Sequence, residues 1–348
     1  MKISTQLGYS GNFLETVREV QELEKAGLDL AWVAEAYGFD AVSLMGYIAA
    51  KTTTVRIASG ILPIYTRTPT LLAMTAAGVD ALSGGRAVLG LGASGPQVIE
   101  GFHGVEYDAP VTRTREIIEI CRQVWKRDRL EFKGKKYKMP LGPDEGLGLG
   151  KPLKMILPPV RDEVPIAIAA LGEKSVEMTA ELADGWLPVF YYAEKVKDRW
   201  GAALAAGRAK RDPNRAPLEV FAGSAVAIGE GLEPMRDIGR PMAALYIGGM
   251  GARGKNFYND VFASYGYEAE AKEIQDLYLD GKKQEAAMAV PKSFIEATTL
   301  VGPEGFVKDR LTALKESGVT TLNAALVGNT IEERVKTLDK LRNIAEKI

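Results

Sequence analysis

Three short stretches carry residues whose type and spacing could do chemistry. "LAWVAEAYG" places Glu35 directly after an apolar run. A carboxylate at the end of a buried strand can have its proton affinity raised and serve as an acid or base. It can equally be a structural group, bonded to a backbone amide or to an arginine such as Arg67. "AVLGLGASGPQVIEG" spaces Gly90, Gly92 and Gly95 as G-x-G-x-x-G, which suits a strand-to-helix turn that approaches the pyrophosphate of a dinucleotide. "ALGEKSVEM" puts Gly172, Glu173, Lys174 and Ser175 at a helix start, where unpaired amides and the helix dipole attract phosphate. Glu173 opposes an anion there unless it turns away, and an ordinary helix cap is the plainer alternative.

The elements that must position these residues alternate. Strand-like runs at "KISTQLGY", "DLAWVAEAYG", "VRIASGILPIY", "RAVLGLGAS", "VPIAIAAL", "DGWLPVF", "PLEVFAGSAVAI" and "VTTLNAALVG" are separated by segments with apolar residues at helical spacing. Eight strands, each with a helix, predict a (β/α)8 barrel with insertions at about 100–163 and 230–300, one domain over 1–348. An open doubly wound sheet is the alternative, but no compositional break separates two lobes. The first long insertion holds one clear helix, Arg113 to Lys126, and a Gly/Pro/Lys-rich stretch read as a small hairpin and a lid.

This frame decides how the glycines are read. A dinucleotide fingerprint opens a long helix and has an acid about 20 residues on, at the end of the next strand. Here Gly101 and Gly104 interrupt the next segment, Glu116 and Glu119 fall inside a helix, and the motif sits in the fourth β/α unit. In a barrel the same residues lie at the C-terminal rim, where active sites sit. Gly92, Ala93, Ser94 and Gly95 then let backbone amides approach a ligand, or merely reverse the chain. The other strands bring Gln6 and Tyr9, Gly60 and Ile61, Ala170 to Glu173, and Val189 to Tyr192 to that rim.

Composition excludes several classes. Lys and Arg total 44 against 45 Asp and Glu, with no basic stripe for nucleic acid and no polybasic run for an anionic membrane. No apolar stretch is long enough to span a bilayer and no export leader is visible, so a cytoplasmic protein without a membrane partner is expected. One cysteine and one histidine make a His/Cys metal site or a disulfide framework untenable. Cys121 falls on the apolar face of its helix, as a core residue does, and His103 reads as structural. "GGMGARGKNFYND", Gly248 to Asp260, is either a basic clamp over an anionic tail or a surface loop.

The order of these pieces resembles the luciferase-like flavin and deazaflavin oxidoreductases, and within them the coenzyme F420-dependent branch. The resemblance rests on "LDLAWVAEAYGFDAV", on the block from Val55 to Gly104, on "TREIIEICRQVWKRD" and on "ALGEKSVEMTAELADGWLP". It implies a luciferase-like (β/α)8 barrel and a non-prolyl cis peptide at Gly60-Ile61, in a bulge behind the flavin-like ring. It also implies cofactor contacts from Ala93, Ser94 and Gly95 and from Ala170, Leu171, Gly172 and Glu173. The implied activity is F420-dependent oxidoreduction: hydride moves between the deazaflavin C5 and an organic small-molecule substrate, with proton transfer by Glu35 or by Tyr9 or Tyr65. FMN-dependent monooxygenation and a non-catalytic deazaflavin-binding barrel are the alternatives, and a homodimer is implied. In the family's sugar-phosphate dehydrogenases a catalytic histidine comes after the acid of the second strand, and a glutamate after the fourth-strand glycine. Here those positions hold Ala36 and Pro96, so that substrate chemistry is not carried over.

Overall fold

Eight of the apolar runs become parallel strands that close on themselves. In the computed structural model, which describes residues 1–8 and 11–348, these are β1 (Lys2–Gln6), β2 (Leu30–Val33), β3 (Arg56–Ser59), β4 (Ala87–Gly92), β5 (Ile166–Ala169), β6 (Gly185–Trp186), β7 (Glu219–Ala222) and β8 (Thr321–Asn323). Each strand pairs with its neighbour in chain order, β8 pairs with β1, and β3 with β4, so the sheet has no free edge. Tyr9 lies outside the described residues. Around the strands run α1 (Phe13–Lys25), α2 (Ala41–Lys51), α3 (Pro69–Ser83), α4 (Pro110–Trp125), α5 (Glu173–Leu182), α6 (Val196–Lys210), α7 (Glu304–Glu316) and α8 (Ile331–Ala345). Their starts reflect local chemistry: Asn12, Asp40 and Thr68 accept first-turn amides, and Thr330 forms a reciprocal capping box with Glu333.

Strand periodicity divides the core in two. On β2, Leu30 and Trp32 face the barrel interior and pack with Ala58, Val88, Ala167, Leu187 and Phe221. Ala31 and Val33 face outward, into the larger layer between strands and helices. Small residues line much of the interior because two large rings fill it. Trp32 and Phe221 meet edge to face with centroids 5.0 Å apart. Cys121 is fully buried on α4, donates towards the Pro69 carbonyl, and has its thiol pushed up to about 12 by burial, which suits a core residue.

The excursions differ in kind. Between β4 and β5 lie a short helix (Pro96–Gly101), α4, and a hairpin of Phe132–Lys133 with Lys138–Met139. The buried Asp80 on α3 accepts the Ala87 amide and pairs with Arg161, fastening the end of this excursion beneath β4. Between β7 and β8 the chain is mostly helical. Beyond β7, Ala225–Ile228 pairs with Leu300–Gly302 and with Ala325–Leu326 beyond β8.

The third strand departs from its expected single run. It stops at Ser59 and resumes at Leu62–Pro63. Ala58 pairs with Val88 and Leu62 with Leu91, so three residues face two across the gap, which defines a bulge. The Gly60-Ile61 peptide inside it is cis, as the resemblance implied. A Cβ on Gly90 would overlap the Ser59 carbonyl. Replacing Gly90 with alanine is therefore expected to lower unfolding free energy by about 3 kcal/mol. Gly201→Ala, mid-helix on α6 with only Lys197 in ordinary contact, should raise it by about 0.5–1 kcal/mol. Urea denaturation of the two variants beside wild type measures both signs.

Candidate active site

The bulge is tied to three strands. The Gly60 amide donates to the Val33 carbonyl of β2 at 2.7 Å, and the Gly60 carbonyl accepts Gln6 Nε2 of β1 at 3.2 Å. The Ser59 hydroxyl donates to the Gly90 carbonyl at 2.8 Å and accepts the Gly90 amide at 2.9 Å, standing in for the ladder bonds the extra residue displaces. Ile61 packs over the inner cluster from above, together with Ala169. Gly92 makes room for both: a Cβ there would lie 2.9 Å from Ile61 Cγ1 and 3.4 Å from Ala169 Cβ. Gly90 and Gly92 are thus strand glycines that accommodate the bulge. This geometry excludes a dinucleotide turn at G-x-G-x-x-G.

The β4 rim continues through Ala93, Ser94 and Gly95, all half-buried. Ser94 takes a left-handed conformation with φ of 59°, which turns the chain into the short helix at Pro96. Tyr107 reaches towards the Ser94 carbonyl and packs against Tyr65 at 5.1 Å between centroids. The Tyr65 hydroxyl donates to the Asp108 carbonyl at 2.9 Å. Burial, with Tyr107 beside it, raises the proton affinity of Tyr65, so its hydroxyl stays protonated at neutral pH.

The β5 rim is fixed from behind by two indoles. Trp186 Nε1 donates to the Ala170 carbonyl at 2.9 Å, and Trp200 Nε1 to the Leu171 carbonyl at 2.8 Å. The two rings pack edge to face. Gly172 then caps α5 without any side-chain acceptor, and the space beside its Cα is open. Glu173 is 73% exposed and pairs with Arg199 of α6 at 3.3 Å, which offsets its charge at the helix start. Because Leu62 and Gly92 belong to paired strands and Gly92 and Ala169 are register partners, the bulge on β3 and the α5 N-terminus after β5 lie at the same end of the barrel, with β4 between them.

Glu35 lies in the loop that comes after β2. Arg67 grips it through both oxygens, at 2.6 and 2.9 Å, and the Ala41 amide donates to Glu35 Oε2 at 2.9 Å. Both side chains are largely buried. Of the two roles the sequence left open for Glu35, this is the geometry of the structural carboxylate. Tyr37 and Phe102, exposed on neighbouring loops, approach to 6.1 Å and form an aromatic rim beside it.

Other sequence candidates fall elsewhere. His103 is exposed and packs on Phe102. Arg253, offered as a clamp, is paired with Asp276 on the helix Glu268–Leu279. The Phe190 ring packs against Tyr246, Tyr258 and Phe294, and its carbonyl accepts the Tyr265 hydroxyl. Among the described residues no group of three His, Cys, Asp or Glu side chains could hold a metal ion, and no helix is long and apolar enough to cross a membrane. Sequence reasoning missed Ser59 and the two indoles. The tryptophan of "ADGW" was the available signal for one of them.

The architecture and this rim match known proteins. A family model described as luciferase-like monooxygenase covers residues 1–321. A protein of Mycobacterium tuberculosis that bears the name of a coenzyme F420-dependent oxidoreductase is 38% identical over 330 residues, 92% of this chain and 94% of that one. The 5,10-methylenetetrahydromethanopterin reductase of Archaeoglobus fulgidus is 26% identical across 93% of each chain. The solved structure of the coenzyme F420-dependent tetrahydromethanopterin reductase from Methanopyrus kandleri superposes with a TM-score of 0.81, covering 97% of each chain at 19% identity. The chain therefore belongs to the luciferase-like monooxygenase family, and its relatives there include F420-dependent oxidoreductases.

Proposed function

We propose that the barrel mouth binds coenzyme F420 and serves hydride transfer between that cofactor and an organic small molecule. The observation that carries this reading is the pairing of an apolar platform, Gly60-Ile61 over Trp32 and Phe221, with an uncapped helix start two strands away, beyond β4. The platform suits the face of a flat, largely apolar ring. The open amides at Gly172 and Glu173, with the α5 dipole, suit a phosphate. Ala93, Ser94 and Gly95 on one side and Ala170 and Leu171 on the other lie between those points and would hold the ring edge and its polar chain. When bound, the deazaflavin supplies hydride chemistry at its C5.

The chain's own residues orient the reactants and exclude water. Trp186 and Trp200 hold the β5 rim rigid, and Tyr65 and Tyr107 brace the β4 rim, so the cofactor contacts are preorganised. Glu35 in this reading is a positioning residue: it fixes Arg67 and the start of α2. Tyr65, whose hydroxyl proton is engaged by the Asp108 carbonyl and held tightly by burial, acts in this reading as a brace of the β4 rim. The aromatic rim of Tyr37 and Phe102, with Arg67 beside it already committed to Glu35, favours an apolar substrate over a sugar phosphate. We read the enzyme as cytoplasmic and homodimeric. Support for the dimer is the outward face of α3, where Leu71, Met74, Gly78 and Leu82 present no charge beside Tyr47 of α2.

Parallel anaerobic titrations with F420 and with FMN, read by fluorescence and calorimetry, test cofactor choice. Selective deazaflavin binding is expected. Selective FMN binding would transfer the reading to flavin-dependent oxygenation, and binding of neither would leave the platform without a role. The assignment of Glu35 is tested by a double-mutant cycle of Glu35→Gln and Arg67→Gln on unfolding free energy. A coupling of about 1.5–3 kcal/mol is expected for a largely buried bidentate pair, and additivity would return Glu35 to the list of free acids.

A further inference from the structure

The excursion between α4 and β5 holds a surface that the proposed reaction does not use. From Gly146 to Arg161 the chain reads "GLGLGKPLKMILPPVR", with no acidic residue. It forms neither helix nor strand. Large aliphatic side chains stand in solvent along it: Leu147 is 88% exposed, Leu149 79% and Ile156 90%, with Leu153, Leu157 and Val160 also mostly free. Six such side chains within fourteen residues far exceed the scatter of single apolar groups normal on a surface.

The loop is held in place although its tips are not packed. A Cβ on Gly148 would lie 2.5 Å from the Pro143 carbonyl, and one on Gly150 would overlap the Leu141 carbonyl, so the glycines let the turn fold back on itself. The Leu130 amide donates to the Leu153 carbonyl at 2.9 Å, and Arg127 donates to the carbonyls of Met155 and Ile156. These contacts fall at the C-terminal end of α4. The mouth lies at the other end, where α4 begins beside Asp108. The backbone is therefore anchored while the aliphatic side chains stand in solvent.

Cations stand among these tips. Residues 126–161 hold ten basic and four acidic side chains in a chain that is otherwise balanced. The sequence has no contiguous polybasic run because the cations are spread over 36 positions. The fold brings Arg129 beside Leu153, and Lys151 and Lys154 alternate with the leucines. Among the described residues none of these three cations has an ion-pair partner, and all are exposed.

We propose that this surface docks the protein on an anionic phospholipid bilayer, with Leu147, Leu149, Leu153 and Ile156 entering the interface and Arg129, Lys151 and Lys154 meeting lipid headgroups. Free cations around exposed aliphatic groups are complementary to such a surface and to its apolar boundary layer. The same excursion of a second copy fits less well, because two like-charged excursions repel. The aliphatic groups also alternate with glycine, proline and lysine, leaving no continuous stripe for a partner helix or strand to match, and a fluid interface needs none. The chain lies on the membrane in this reading and does not span it.

Flotation of the full-length protein with vesicles of phosphatidylcholine, with and without phosphatidylglycerol, tests this. Wild type is expected to float only with the anionic vesicles and to be released by raised salt. Leu147→Ser/Leu149→Ser and Lys151→Glu/Lys154→Glu should each weaken binding at least about tenfold, with melting temperature and F420 affinity unchanged. Failure of wild type to float, or equal flotation of all three proteins, overturns the proposal. So does a dimer in light-scattering chromatography that the serine variant abolishes while vesicles bind none of the proteins, since that result gives the surface to a second copy.

Discussion

The site depends on one close approach, the Ser59 carbonyl set against the Cα of Gly90. Only glycine leaves room for it. Because β3 carries an extra residue there, its ladder to β4 would lose bonds, and the Ser59 hydroxyl restores them by both donating to and accepting from the Gly90 backbone. Gln6 and Val33 hold the same bulge from β1 and β2. Four strands thus converge on a single peptide, Gly60-Ile61, and present Ile61 at the barrel mouth. Gly92, two residues on, clears the space into which Ile61 leans.

The remaining architecture keeps that platform rigid and places a polar counterpart beside it. Trp32 and Phe221 fill the interior below, so the platform rests on packed rings. At the end of β5, beyond β4, Trp186 and Trp200 use their indole N–H groups to hold the carbonyls of Ala170 and Leu171. That fixes where α5 begins. The arrangement separates two demands within a short distance: an apolar face for a ring and unpaired amides for an anion. Glu173 does not spoil the second demand, because Arg199 pairs with its carboxylate and offsets its charge.

Much of this was legible in the residues, and the limits have physical causes. Alternating strand and helix periods announced the closed barrel, since eight such units over this length leave few other ways to bury both faces of the strands. The glycines were visible, and their failure as a dinucleotide turn could be argued from Gly101 and Gly104, which interrupt the next helix. Their actual purpose could not, because Gly90 answers to Ser59, thirty-one residues earlier, and only the register of β3 against β4 brings them together. Glu35 shows the same limit. Its place after an apolar run is consistent with an acid or with a tether, and the choice rests on where Arg67 ends up. The scattered cations of the long excursion form no contiguous run: Lys151 and Lys154 stand among the leucines in sequence, and folding adds Arg129 to them.

A crystal structure of the protein with bound F420 tests the central claim most directly. The account predicts the deazaflavin ring against Gly60-Ile61, with the phosphate at the amides of Gly172 and Glu173. Density for the ring at the opposite end of the barrel, in the 470 Å³ cavity lined by Lys2, Asp29, Glu219 and Arg342, would contradict it.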